Sequence, residues 1–153
     1  IKEILDTDPR NAAACAYKSA FCGWRISLDH SKAPILGPVF LYYNSRAYSL
    51  DSLNIQAIVD RANFYFYAPG FIGGDALKAA KLYNKAVTLM EENNLAQTNW
   101  QYFNTLILEA KANDKADDQK RALDIYIKIL GIEPDFKWVK DRLLVDLLSR
   151  MKH

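Results

Sequence analysis

Cysteine, histidine and methionine are each represented by only two residues in a chain of 153, and this scarcity removes several kinds of chemistry. Cys15 and Cys22 lie seven apart on a stretch with helical spacing, so they share a face about 10 Å apart and cannot bridge each other. They lack the tight spacing of a metal-binding pair and have no neighbouring histidine, so they read as small buried residues. His30 stands beside Asp29, but adjacent residues do not face each other on a helix and no nucleophile motif accompanies them. That pair reads as part of a solvated loop, and His153 is terminal.

Other absences are as informative. No apolar run approaches the roughly 20 residues that cross a bilayer, so no membrane insertion is expected. No block of like charge exists: 20 Lys and Arg interspersed with 18 Asp and Glu leave a net charge of +2, which argues against a nucleic-acid partner. No alternating apolar run is bounded by hairpin turns, so no strand is expected. The single glycine-rich loop, Gly70 to Gly74, lacks the Lys and hydroxyl of a phosphate-binding loop, and Asp75 would place a negative charge where a phosphate must sit. It reads as a structural turn. The carboxylate pairs Glu91–Glu92 and Asp117–Asp118 fall at helix ends, where capping and solvation account for them. No metal site, cofactor or catalytic set emerges, and the chain does not read as an enzyme.

What is present is ordinary for one soluble domain spanning residues 1–153: half of the residues are hydrophobic and a quarter charged. The clearest pattern runs from Pro69 to Asn94. Ala79, Leu82, Tyr83, Ala86, Leu89 and Met90 recur at three- and four-residue steps and define the buried stripe of a helix. Asp75 is placed to cap it, and Asn93–Asn94 suits a left-handed exit. Forty-three residues later Ala122, Tyr126, Lys128 and Ile132 stand where Ala79, Tyr83, Lys85 and Leu89 stood, with Ile129 replacing Ala86; this is an internal repeat.

The remaining helices follow from punctuation. Residues 1–14 read as the last turn of a helix, a stop at Pro9, and a new Ala-rich helix from Asn11 to Leu28. Asp29 to Pro38, with two prolines and a glycine, reads as a turn, followed by a helix from Val39 to Leu50. Ser52 is expected to cap a helix to Tyr67. Asp135 to Lys152 reads as a closing helix with Phe136, Val139, Leu143, Leu147 and Leu148 on its apolar face. The total is seven full helices plus an N-terminal remnant.

On these residues the chain resembles the tetratricopeptide repeat (TPR) family. Ile58, Ala62 and Tyr65 occupy the large, small and aromatic places of a first repeat helix, and Trp100, Phe103, Asn104 and Ile107 those of the next; Arg61 and Asn104 depart from the family pattern. Ala122, Tyr126 and Pro134 complete that unit. The turns 68–75 and 112–119 are longer than the family's, which gives irregular repeats of about 40 residues. The resemblance implies an all-α, TPR-like solenoid of antiparallel helical hairpins with a C-terminal capping helix, its chain beginning inside a repeat. It implies packing roles for Tyr65, Tyr83, Trp100 and Tyr126.

The function it implies is non-catalytic binding of a protein or peptide in a concave groove lined by Gln56, Val59, Asn63 and Phe66 with Gln101, Thr105 and Leu108. Basic residues are missing from those places, so no clamp for acidic C-terminal tails is expected. For Phe66 two expectations stand: an exposed binding anchor, or a ring covered by Phe71 or Ile72. The equivalent places in the first helix, Ala13, Ala16, Ala20 and Gly23, would admit a close backbone or a neighbouring helix. The alternatives are an end segment of a larger solenoid or a self-assembling scaffold, including a homo-oligomer, with an enzyme a remote third. The enlarged Gly-Gly turn resembles that of exported bacterial TPR chains and points to the periplasm or cell envelope.

Overall fold

The computed structural model describes residues 1–96 and 99–151. The chain is all-α, with eight α-helices and no strand among the described residues: α1 (Lys2–Thr7), α2 (Ala12–Leu28), α3 (Ala33–Leu50), α4 (Ile55–Tyr67), α5 (Ala76–Glu92), α6 (Trp100–Lys115), α7 (Gln119–Ile132) and α8 (Leu144–Met151). Two compact units divide it, residues 1–63 and 64–153, and the boundary falls inside α4. No helix of the described residues is long and apolar enough to cross a membrane.

In the first unit α2 packs along α3 through small residues. Cys15, Ala16, Ala47 and Ala57 form its centre, with Leu5, Tyr43 and Leu50 packed around them. Small side chains let the helix axes approach, and the contact at Gly23 shows how closely: a Cβ there would lie 3.3 Å from the Phe40 ring. Of the small residues of α2, Cys15 and Ala16 serve this packing, while Ala20 and Gly23 are half-buried and Ala13 is exposed. Arg46 ties the unit's first turn down by donating two hydrogen bonds, from Nε at 3.0 Å and Nη2 at 2.8 Å, to the Pro9 carbonyl. Both cysteines are buried and free.

In the first unit two boundaries differ from the sequence reading. α3 begins at Ala33 rather than Val39, so Pro34 and Pro38 lie within it. Pro34 occupies the first turn, where amides lack intrahelical partners anyway, and Pro38 removes only one bond further in. Asn54, rather than Ser52, provides the side-chain cap of α4, accepting from the Ala57 amide at 3.0 Å.

In the second unit each helix packs on the one before it, α5 with α6, α6 with α7, and α7 with the closing α8, in the manner of a solenoid. A π-helical turn, Val139–Leu143, leads into α8, and Val139 and Leu147 are the residues it buries. Asp75 caps α5 as its spacing predicts, accepting from the Lys78 amide at 2.9 Å. At the other end Asn94 takes φ 56°, with Leu95 N bonded to Met90 O and Asn94 N to Glu91 O, a Schellman closure with asparagine at the left-handed place.

The same closure ends α6: Asp117 has φ 64°, Asp118 N reaches Asn113 O and Asp117 N reaches Asp114 O. The turn between α6 and α7 is therefore short, residues 116–118, because α6 continues to Lys115, and only Asp118 caps α7. The connection 68–75 is the long one. Its Gly73 has φ 101°, and a Cβ on Gly74 would stand 1.8 Å from the Ala68 carbonyl oxygen, so no side chain fits there.

The repeat is visible in burial. Ala79, Tyr83 and Ala86 on α5 and Ala122, Tyr126 and Ile129 on α7 are all buried. Trp100 departs from its expected packing role: it lies at the first residue of α6 and 65% of its surface is open, beside Phe136 with ring centroids 6.5 Å apart.

Candidate functional site

α6 is enclosed on nearly every side, with Tyr102, Phe103, Ala112, Asn113 and the whole run 105–110 buried. Thr105, Glu109 and Asn113 are the polar residues among them, and Glu109 alone is a carboxylic acid: its side chain is 2% exposed. Glu109 Oε1 accepts from Asn84 Nδ2 on α5 at 3.0 Å and from Arg121 Nη2 on α7 at 3.5 Å. Burial pushes the Glu109 carboxyl up, while Asn84, Arg121 and Lys128 pull it back only in part.

A second carboxylate lies in the same groove. Glu91 Oε1 accepts from the Tyr102 hydroxyl at 2.6 Å and from Lys128 Nζ at 2.6 Å. Burial raises this carboxyl as well, but the bonds from Lys128 and Tyr102 outweigh it and leave Glu91 below the ordinary carboxylate range. The Tyr102 hydroxyl is pushed up, first by burial and then by its bond to Glu91.

These groups line a groove of about 250 Å³ with α5 and α7 as its walls and α6 as its floor. Asn84, Thr88 and Glu91 face it from one wall, Arg121 and Lys128 from the other, and Leu106 and Glu109 from below. Every cation in it is paired with a carboxylate, so the surface is polar with alternating charge. Such a lining suits hydrogen bonding to a backbone or to polar side chains.

The seven residues expected to line one groove are not equally open. Gln56 and Asn63 in the first unit, and Phe66 and Gln101 in the second, are partly exposed, whereas Val59, Thr105 and Leu108 are buried. Gln56 Nε2 is spent on Asp60 Oδ1 at 2.9 Å, and Thr105 Oγ1 donates to the Gln101 carbonyl at 2.7 Å. Phe66 is half-buried. Its ring packs edge-on against buried Tyr83 at 6.3 Å, and Lys115 Nζ covers it at 5.1 Å while donating to the Phe66 carbonyl at 2.8 Å. Phe71 and Ile72, either of them expected as its cover, are 90% and 54% exposed.

The groove itself was missed by sequence reasoning, which assigned Glu91 to a helix end and passed over Glu109. A signal existed: Glu109 is the lone acidic residue in the stretch 100–112. Asp29 is the cap of a short 3-10 turn, accepting from Ser31 N at 3.1 Å and pairing with Lys32 at 3.1 Å. Among the described residues no three His, Cys, Asp or Glu side chains gather as a metal site. Comparison of the chain with family models, curated proteins and solved structures finds no match.

Proposed function

We propose that this chain is a non-catalytic protein-binding module of TPR-like design that holds a peptide or partner segment against the groove between α5 and α7. The observation that carries the reading is the groove's construction: two helices bearing the same 43-residue pattern form its walls, and a buried, hydrogen-bonded Glu109 fixes its floor. Rigid walls with polar groups already oriented lower the entropic cost of binding. The TPR resemblance supports the same class of function and implies a different contact, on the helix face that carries Asn63. Substitutions at the two faces separate these two placements.

The test is selection of peptides from a random library on the immobilised chain, followed by titration of the selected peptide against Thr88→Trp and Asn63→Ala. Thr88 is exposed at the mouth of the groove, so a tryptophan there obstructs it without entering the core. Loss of binding only in Thr88→Trp places the peptide in the α5–α7 groove, and loss only in Asn63→Ala places it on the other face.

One observation favours a hydrolytic reading. Glu109 and Glu91 share a groove and their acidities are pushed in opposite directions, as in an acid/base pair. Against it, Glu109 is almost closed to solvent and both carboxylates are engaged by neighbouring donors. Turnover of an ester, phosphate or glycoside that disappears in Glu109→Gln would establish this reading instead.

A further inference from the structure

α2 is built inside out. Its buried face consists of Ala14, Cys15, Ala16, Ser19 and Cys22, while Tyr17, Phe21, Trp24 and Leu28 leave 55%, 54%, 60% and 67% of their surface open. The small inner face is explained by the close approach of α3, since even a Cβ on Gly23 would lie 3.3 Å from the Phe40 ring. Nothing among the described residues accounts for the large apolar outer face. Exposed helix positions accept lysine or glutamate at no cost, and a solvated face is normally polar.

The four side chains follow one another at steps of four, three and four residues, which makes a continuous stripe of the heptad kind that seats a second helix. That spacing reads the same in both directions. An antiparallel copy of α2 therefore presents the same stripe, with Phe21 facing the copy's Trp24 and Tyr17 facing its Leu28. Self-complementarity of this sort is what a two-fold interface requires.

We propose that α2 is a self-association surface, through which two copies of this chain pair about a two-fold axis centred between Phe21 and Trp24. The area is sufficient. With an aromatic side chain offering roughly 150–250 Å², the four open side chains expose roughly 500 Å² per copy, so pairing removes roughly 1,000 Å² in total. That is the lower bound for a specific interface and corresponds to a weak dimer. Charge permits it as well: Lys18 is drawn away onto Tyr43, 2.9 Å from its hydroxyl and 4.2 Å above its ring, which leaves Arg25 at the rim.

Sedimentation velocity of the full chain from about 1 to about 200 μM tests this, and the expected result is a monomer–dimer equilibrium in the micromolar range. The double change Phe21→Glu with Trp24→Glu is expected to leave a monomer at every concentration, with helical circular dichroism and melting temperature close to wild type. If the double variant does not fold, Leu28→Glu alone, at the end of the stripe, is expected to weaken association at least about tenfold, and Trp24→Phe to preserve it. A wild-type chain that stays monomeric throughout overturns the proposal, as does a dimer that survives a folded double variant. A monomer that instead binds vesicles of phosphatidylcholine and phosphatidylglycerol through Trp24 also overturns it, in favour of a lipid surface.

Discussion

Asn84 Nδ2 donates to Glu109 Oε1 at 3.0 Å, joining the residue after the buried centre of α5 to the carboxylate buried in α6. This bond favours the ionised form of an acid that burial disfavours. Asn84→Ala is therefore expected to cost about 1–3 kcal/mol at pH 8, the range for a buried acceptor that loses a donor. The cost shrinks near pH 4, where Glu109 carries a proton and depends less on the donor. Thermal melts of both proteins at the two pH values check the direction.

Asp60 provides a pH dependence of its own. It is 5% exposed in the first unit; Gln56 serves its Oδ1, its Oδ2 has no hydrogen bond, and the nearby Ser19 hydroxyl makes none of good geometry. Burial pushes its carboxyl from 3.8 up to about 7, against the smaller opposing effects of Gln56 and Ser19. Between those values the unfolded chain has released a proton that the folded chain still holds, so stability falls as pH rises through the window and levels off above it. The full effect is on the order of 4 kcal/mol. Asp60→Asn keeps the acceptor for Gln56 and is expected to gain on wild type progressively from pH 4 to pH 7. Parallel melting curves of the two proteins across that range would contradict the assignment.

The glycines separate steric need from tolerance. Gly74→Ala is expected to destabilise by about 2 kcal/mol or more, because its Cβ would meet a carbonyl oxygen that cannot move independently of the turn. Gly131 lies in α7 with nothing within 4 Å of a Cβ, so Gly131→Ala is expected to stabilise by about 0.5–1 kcal/mol. Chemical denaturation of the two variants side by side reads both signs.

Much of the fold was legible because periodicity, caps and repeat all agreed. The Ala79–Tyr83–Ala86 stripe, the Asp75 cap and the left-handed Asn94 are where spacing and turn chemistry put them. The failures have local causes. Two prolines outweighed the helical pattern around them, although Pro34 sits where helices tolerate proline. Trp100 matched a family position, yet it stands at the start of its helix with its ring largely in solvent. The candidate groove was legible only through the lone acid Glu109, because pairs such as Tyr102 with Glu91, or Lys128 with Glu91, are joined by tertiary packing across helices, which neither period nor motif encodes.

Phe66 marks the same boundary between pattern and packing. Its ring lies against Tyr83 and under Lys115, so Phe66→Ala is expected to lower stability by about 1–3 kcal/mol, below the 3–5 kcal/mol typical of a fully buried ring. Denaturant titration measures it. A variant as stable as wild type would instead mark Phe66 as a surface anchor.

The most direct measurement of the binding account is calorimetric titration of a library-selected peptide into the wild-type chain and into Thr88→Trp. The account predicts micromolar affinity for wild type and a loss of at least about 30-fold in Thr88→Trp, with the melting temperature unchanged. Equal affinity for the two proteins would contradict the groove between α5 and α7 as the binding site.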